Sequence, residues 1–166
     1  MKTKTQKIVM ASLMSALCCV VTMLVKVPSP LKGYLNLGDG IVLLSGWMFS
    51  PWYAFLTAGI GSSLADFFSG YGVYIPATFV IKGLMALIFC MVHRFLQKKL
   101  KNFPSLIISG IISEIVMVSG YFIFEGFLYG FIASVVNIYA NAVQGAAGLI
   151  LGVILINIFR KNKIKF

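Results

Sequence analysis

Long apolar stretches alternate with short polar segments along the 166-residue chain. The second stretch is much shorter than the others, and Ser50-Pro51 separates it from the third. A membrane-spanning helix needs about 20 apolar residues, which most of the others supply. The pattern therefore predicts an all-α integral membrane protein, with one domain over residues 1–166 and a short second helix. The six predicted transmembrane helices are residues 8–25, 41–49, 52–68, 77–96, 105–124 and about 132–159.

The composition agrees with this prediction. Hydrophobic residues make up 60% of the chain and charged residues 11%, and the mean hydropathy is +0.97. A soluble domain has about 25% charged residues. The chain has too few polar residues to cover a water-facing globule, which excludes a soluble enzyme, a disordered chain and a secreted disulfide scaffold.

The charged residues are mostly basic, with 14 Lys and Arg against 4 Asp and Glu. Such an excess suits nucleic acid only where the bases form a surface patch. Here 11 of the 14 fall into three clusters that lie at the two ends of the chain and between the fourth and fifth apolar stretches. They are Lys2, Lys4 and Lys7; Arg94, Lys98, Lys99 and Lys101; and Arg160, Lys161, Lys163 and Lys165. This distribution indicates that the bases determine the orientation of the chain in the membrane, and no nucleic-acid partner is expected.

Bases collect on the cytoplasmic side of membrane proteins. All three clusters are therefore expected in the cytoplasm, with both termini, and an even number of spans must separate them. This parity favours counting the short second helix. It places loops 26–38, 69–76 and 125–131 outside; Pro28, Pro30 and Gly33 predict an irregular first loop. Residues 8–25 are not followed by a signal-peptide cleavage site.

No catalytic or metal-binding motif is present. There is no phosphate-binding P-loop, no His-Glu-x-x-His and no nucleophile elbow. The single histidine, His93, is expected at the cytoplasmic interface, and Cys18, Cys19 and Cys90 are interpreted as small apolar fillers. We therefore expect neither an enzyme nor a bound metal or cofactor.

The few ionisable groups inside the apolar stretches are candidate functional residues, because charge is costly in a membrane. Glu114 lies about 13 Å into the fifth helix, and Lys82 lies in the fourth. They either pair with each other or bind a polar ligand. Asp39 is expected to cap the second helix. Asp66 is expected either to stabilise the following loop by a hydrogen bond or to have a functional role. Glu125 is expected to be solvated at the outer end of the fifth helix.

A polar face on the sixth helix points to the same region. Asn137, Asn141 and Gln144 are spaced i, i+4, i+7, so they share one face. Amides in a membrane need partners, which makes this face either contact between helices or the lining of a pocket. Aromatic and hydroxyl groups at similar depth would complete an outward-facing pocket for a small, flat, polar molecule. They are Tyr74, Thr78, Tyr121 and Tyr139.

Small residues on the first helix allow another helix to approach closely. Ala11 and Ser15 are four residues apart, as are Ser12 and Ala16. This spacing serves packing within the bundle or docking of a partner subunit.

Three segments resemble the substrate-binding S components of energy-coupling factor (ECF) vitamin transporters. They are residues 33–40 (GYLNLGDG), 61–71 (GSSLADFFSGY) and 76–83 (PATFVIKG). The pattern is most like the riboflavin-transporter-like branch that includes hydroxymethylpyrimidine and pyridoxine types. In that family the site lies at the outer ends of the last three helices and in the outer loops, which adds Asn36 to the candidates.

The resemblance implies a multi-pass protein of the bacterial plasma membrane that binds a vitamin or precursor from outside. It would dock, through the small-residue face of the first helix, on a transmembrane coupling subunit that carries two ATPase subunits, and those subunits would hydrolyse the ATP. Hydroxymethylpyrimidine or a vitamin B6 form fits a Glu114 acceptor with Asn137 and Asn141. Pantothenate would favour Lys82, and riboflavin would need a larger pocket. A purely structural membrane subunit is the alternative outside transport, and a lipid enzyme is disfavoured.

Overall fold

The computed structural model describes residues 3–28 and 33–162. Within them the chain forms α1 (Lys4–Leu24), β1 (Val27–Pro28), β2 (Tyr34–Leu35), α2 (Gly38–Met48), α3 (Pro51–Ser69), α4 (Ile75–Leu96), α5 (Asn102–Tyr129) and α6 (Phe131–Lys161). A 3-10 turn, Gly72–Tyr74, precedes α4. Some residues named above lie outside the described ones: Lys2, Pro30, Lys163 and Lys165.

An α-helix covers each of the six apolar stretches, and local sequence explains several of the boundaries. At the start of α1, Thr3 and Gln6 form a capping box, in which each side chain accepts the other's backbone N–H. α3 begins at Pro51, and a proline in the first turn has no N–H left without a partner. The loop between α1 and α2 is more regular than expected, because β1 and β2 form a short antiparallel ladder.

The largest departure from the predicted boundaries is at residues 125–131. The predicted outer loop is helical, since α5 continues to Tyr129 and α6 begins at Phe131. The chain reverses at Gly130, whose φ of +92° is open to glycine but strained for other residues. As a result Glu125 is not solvated: its side chain is buried, with 2% exposure. The side chain of His93 is also buried, and the Ser105 hydroxyl lies 2.9 Å from its Nδ1.

α2 occupies the centre of the bundle. Nine consecutive residues of it, 38–46, are buried, and it packs against α1, α3, α4 and α6. Its side chains Val42, Leu43 and Leu44 belong to the apolar core together with Met85 and Phe89 of α4. Most other large apolar side chains face outward, as expected where lipid is the solvent.

Among the described residues, four helical segments are long and apolar enough to cross a membrane. They are Lys4–Leu24, Gly72–Leu96, Asn102–Tyr129 and Phe131–Lys161. α2 has 11 residues, or about 16 Å at 1.5 Å per residue, roughly half of a 30 Å hydrocarbon layer. Six spans and the side of each terminus therefore remain predictions.

One end of the bundle gathers the described basic clusters; we call it the basic end. There Arg94 donates a hydrogen bond to the carbonyl of Phe49, which links α4 to the end of α2. Arg160, at the end of α6, acts electrostatically on His93, near the end of α4. Ile8 of α1 and Tyr53 of α3 line one groove near the same end. The β ladder lies at the opposite end.

Candidate functional site

A polar cavity lies beneath the β ladder, at the end of the bundle opposite the basic end. Its volume is about 30 Å³, enough for a water molecule or two but not for a vitamin. Residues from α1, the ladder segment, α3, the segment between α3 and α4, and α4 to α6 surround it. The lining side chains are Thr22, Tyr34, Asn36, Ser62, Asp66, Tyr71, Tyr74, Thr78, Lys82, Tyr121, Glu125, Asn141 and Gln144, with Gly33.

Most of the candidate binding residues meet at this cavity. Asn36, Tyr74, Thr78, Lys82, Tyr121, Asn141 and Gln144 all line it, and so does Asp66. The face formed by Asn137, Asn141 and Gln144 points inward, as predicted, since all three side chains are buried. Asn137 and Glu114 are buried without reaching the lining. Tyr139 points away from the bundle and is 78% exposed.

Lys82, which lines the cavity, belongs to a buried ion pair. Lys82 on α4 pairs with Asp39 on α2, and both side chains are almost fully buried. Gln144 donates a hydrogen bond to the second oxygen of Asp39 over 2.7 Å and accepts one from the backbone N–H of Asn36 over 3.0 Å. The expected capping role of Asp39 is wrong: the Asn36 side chain accepts the N–H of Gly38 at the start of α2.

Glu114 is not the partner of Lys82, because Asp39 takes that place. Its carboxyl group packs against α6: a Cβ built on Gly148 would lie 3.3 Å from Oε1 of Glu114 and 2.5 Å from Cβ of Asp39. Neither Glu114 oxygen has a hydrogen-bond partner among the described residues. Asp39 and Lys82 are the charged groups that act on it. The result is a cluster of two acids and one base behind the cavity wall.

Two carboxyl groups line the cavity itself, and each accepts hydrogen bonds from the protein at one of its oxygens. Asp66 on α3 accepts the Tyr34 hydroxyl at Oδ1 over 2.7 Å. Glu125 on α5 accepts, at Oε1, the Tyr74 hydroxyl over 3.2 Å and the Asn137 amide over 2.8 Å. Their other oxygens, Oδ2 and Oε2, are buried and have no hydrogen-bond partner within the described part of the chain. Both side chains are at most 4% exposed.

Tyrosine rings form the part of the wall nearest the ladder. The Tyr34 and Tyr71 rings are 4.6 Å apart between centroids, and Tyr71 and Tyr74 are 6.5 Å apart. Burial and the neighbouring Asp66 carboxylate raise the pKa of Tyr34 far above its usual range, so the phenol stays protonated and donates. Lys26 lies over the Tyr34 ring at 5.7 Å and donates to Ser69. These contacts hold the ladder over the cavity.

Several lining residues were not candidates in the sequence: Thr22, Tyr34, Ser62, Tyr71 and Glu125. Tyr34 and Tyr71 lie inside the GYLNLGDG and GSSLADFFSGY segments, so those motifs contained a signal for them. For Glu125 the sequence predicts a position in a solvated loop, because the residue follows the apolar stretch. Thr22 and Ser62 are hydroxyl residues in apolar helices, and such residues have no distinguishing pattern.

A second feature is an apolar groove of about 430 Å³ between α1 and α3. All four small residues predicted as a docking face line its α1 side: Ala11, Ser12, Ser15 and Ala16. The α3 side is formed by Tyr53, Leu56, Thr57, Ile60 and Leu64. Ser12 and Ala16 are exposed, while Ser15 faces into the bundle.

Comparison with known proteins identifies relatives over nearly the whole chain. A sequence model for the S component of ECF-type riboflavin transporters matches residues 2–161. An uncharacterized protein of Pyrococcus woesei, from the gap 3′ region, is 36% identical over 134 residues, which are 80% of this chain and 87% of that protein.

Two solved structures have the same fold. The S component of a bacterial ECF transporter superposes with a TM-score of 0.70 at 22% identity, covering 99% of this chain and all of the other. The S component for biotin of an ECF-type ABC transporter superposes with a TM-score of 0.69 at 17% identity, covering 98% and 93% of the two chains.

Proposed function

Since the chain belongs to the family of S components of ECF-type riboflavin transporters, we propose that it captures a small vitamin or vitamin precursor for ATP-driven uptake. Proteins of this family are integral to the membrane, bind transported substrates rather than catalyse reactions, and work with a coupling subunit and ATPases. The observation that carries the proposal is the buried polar cavity under the β ladder. A purely structural subunit would have no need of buried carboxyl oxygens that lack partners.

The substrate we favour is hydroxymethylpyrimidine or a form of vitamin B6. The tyrosine wall supports an aromatic ring as the substrate. Because a cavity of about 30 Å³ must open to admit any ring, a single small ring requires the least opening. The amide group of Asn141, which lines the cavity, is suited to a hydroxymethyl group, because an amide both donates and accepts. Glu114 and Asn137, which we expected to touch the substrate, act from behind the lining; Asn137 does so by holding Glu125.

Riboflavin and pantothenate are the alternatives. The name of the matching family favours riboflavin, but its three fused rings would require a much larger opening of the cavity. Pantothenate is an anion and would need Lys82, whose ammonium group already pairs with Asp39. We therefore rank both below a single-ring substrate.

In the proposed topology the basic end faces the cytoplasm and the β ladder faces outward, with both termini inside. The gathering of the described bases at one end supports this orientation. The groove between α1 and α3 is the surface we assign to the transmembrane coupling subunit, because small residues let a partner helix approach closely. ATP hydrolysis belongs to the partner ATPases.

The decisive experiment identifies a compound bound to the purified protein. The full chain is isolated in mild detergent, and mass spectrometry of the denatured sample is expected to find one vitamin-like heterocycle in near-stoichiometric amount. In proteoliposomes that contain the coupling and ATPase subunits, the same compound should accumulate only with ATP, and vesicles without ATPases are the control. Absence of a bound compound, with no binding across a vitamin panel, would contradict the proposal.

A further inference from the structure

The hydrogen-bonding groups of the cavity are unequally used. Its main donors already bind the protein's own acceptors: the Tyr34 and Tyr74 hydroxyls bind Asp66 and Glu125. The Lys82 ammonium and the Gln144 amide N–H bind Asp39. Three groups at the lining have no partner among the described residues: one carboxyl oxygen on each of Asp66 and Glu125, and the hydroxyl of Thr22.

The charged groups around the cavity also favour a ligand that donates hydrogen bonds. Among the described residues one ion pair is present; it joins Lys82 to Asp39, and the two charges neutralise each other. Lys26 lies near the rim, where it donates to Ser69 and covers the Tyr34 ring. Asp66 and Glu125 therefore line the cavity without a salt-bridge partner in the described part of the chain. A second anion would be repelled by both carboxylates, whereas a neutral or positive donor would gain from them.

The protein also holds these two carboxyl groups in fixed positions. Each is anchored through one oxygen, by one phenol at Asp66 and by a phenol and an amide at Glu125. An anchored carboxylate presents its other oxygen in a defined direction without losing side-chain freedom on binding. Buried acceptors without partners destabilise the empty protein, and a ligand that satisfies them recovers that free energy.

We propose that the cavity selects a small nitrogen heterocycle that presents N–H donors and carries no negative charge, and that Asp66 and Glu125 are the residues that recognise those donors. This inference rests on the proposed function and narrows it. Amino, ammonium and protonated ring-nitrogen groups satisfy it. A ligand whose main polar group is a carboxylate or a phosphate does not, because its negative charge would lie beside the carboxyl groups of Asp66 and Glu125.

The test compares ligands that share one ring and differ in charge. Pyridoxamine, pyridoxine and 4-pyridoxic acid have an ammonium, a hydroxyl and a carboxylate at the same ring position. Binding to the full-length protein in detergent is measured by calorimetry, together with hydroxymethylpyrimidine, thiamine, riboflavin, pantothenate and biotin. Only compounds with N–H donors and no negative charge should bind, and within the B6 series pyridoxamine should bind tightest and 4-pyridoxic acid not at all.

Two variants test the assignment of residues. Asp66→Asn and Glu125→Gln keep the shape of each side chain but remove its charge, so each should weaken binding of the preferred ligand about 10- to 100-fold, the usual range for a hydrogen bond to a charged group. Tyr139→Phe, on an exposed part of α6, is the control and should bind as the unchanged protein does. Melting temperatures of all three show whether the fold persists, and the ligand series on the unchanged protein does not depend on them.

The outcomes separate this inference from the proposed function. Tight binding of 4-pyridoxic acid, pantothenate or biotin, or of riboflavin alone, would overturn the selection for small N–H donors but keep a vitamin-binding S component. Binding of an amino heterocycle that both variants retain in full would overturn the role of Asp66 and Glu125. No binding of any compound, and none retained through purification, would overturn both.

Discussion

The buried pair of Lys82 and Asp39 provides a quantitative test of the electrostatics behind the cavity. Lys82 is 2% exposed and Asp39 is fully buried, and Glu114 is the other acid of the cluster. Lys82→Met removes the single base while keeping most of the side-chain volume, and it leaves two buried acids. Breaking a buried pair from one side costs about 3–5 kcal/mol. For a chain of this length that corresponds to about 6–20 °C in melting temperature.

Removing the acid of the pair instead of the base should destabilise the protein less, because the cluster contains a second acid. In Asp39→Asn the ammonium group of Lys82 would still have Glu114 as a nearby acid, and the Tyr121 ring would still lie 5.5 Å away. The expected loss is about 1.5–3 kcal/mol, as for a hydrogen bond to a charged group. Adding Glu114→Gln removes the remaining acid and should bring the loss to the level of Lys82→Met. The double variant Lys82→Met with Asp39→Asn should recover part of the stability lost in Lys82→Met.

The assay is thermal unfolding of the ligand-free protein in one detergent, followed by intrinsic fluorescence. Lys98→Met, at an exposed position between α4 and α5, is the matched control and should melt as the unchanged protein does. If Lys82→Met melted like that control, or if Asp39→Asn were the more damaging change, the account of one base shared by two acids would be wrong.

Two other substitutions test the packing and the docking surface. Gly148→Ala would place a Cβ 2.5 Å from Cβ of Asp39. This overpacking should destabilise the fold by about 1–3 kcal/mol and lower the melting temperature. Gly72→Ala is the control: its Cβ would have no atom within 4 Å, so the melting temperature should not change. Ala16→Trp fills the groove between α1 and α3 and should abolish ATP-dependent uptake in proteoliposomes while ligand affinity stays unchanged, whereas Leu13→Trp, on the exposed side of α1, should leave both. A parallel loss of affinity and uptake in Ala16→Trp would contradict the docking role.

The sequence predicted the helices well because apolar stretches bounded by charge, proline or glycine leave little choice in a membrane. The prediction that a helix ends where an acid follows an apolar stretch is wrong at Glu125. A helix of a membrane protein can continue past an acid when donors bury it, here Tyr74 and Asn137. The true end is Gly130, where the backbone turns.

The partner of Lys82 could not be predicted for a different reason. Position along a helix gives depth, and by depth Glu114 and Lys82 were plausible partners. Which acid meets Lys82 depends on how the helices are rotated and on the fact that α2 lies between other helices. Periodicity alone determines neither, so Asp39 was assigned a local role at the start of its helix.

The central position of α2 has a consequence for how the protein is made. A segment of 11 residues that begins with a buried acid cannot partition stably into lipid by itself as it leaves the translocation machinery. Its neighbour α6, which covers Asp39 with Gln144 and Gly148, is separated from it in the chain by three other helices. α2 must therefore be kept at the membrane until α6 has been synthesised, and the cavity forms only after that.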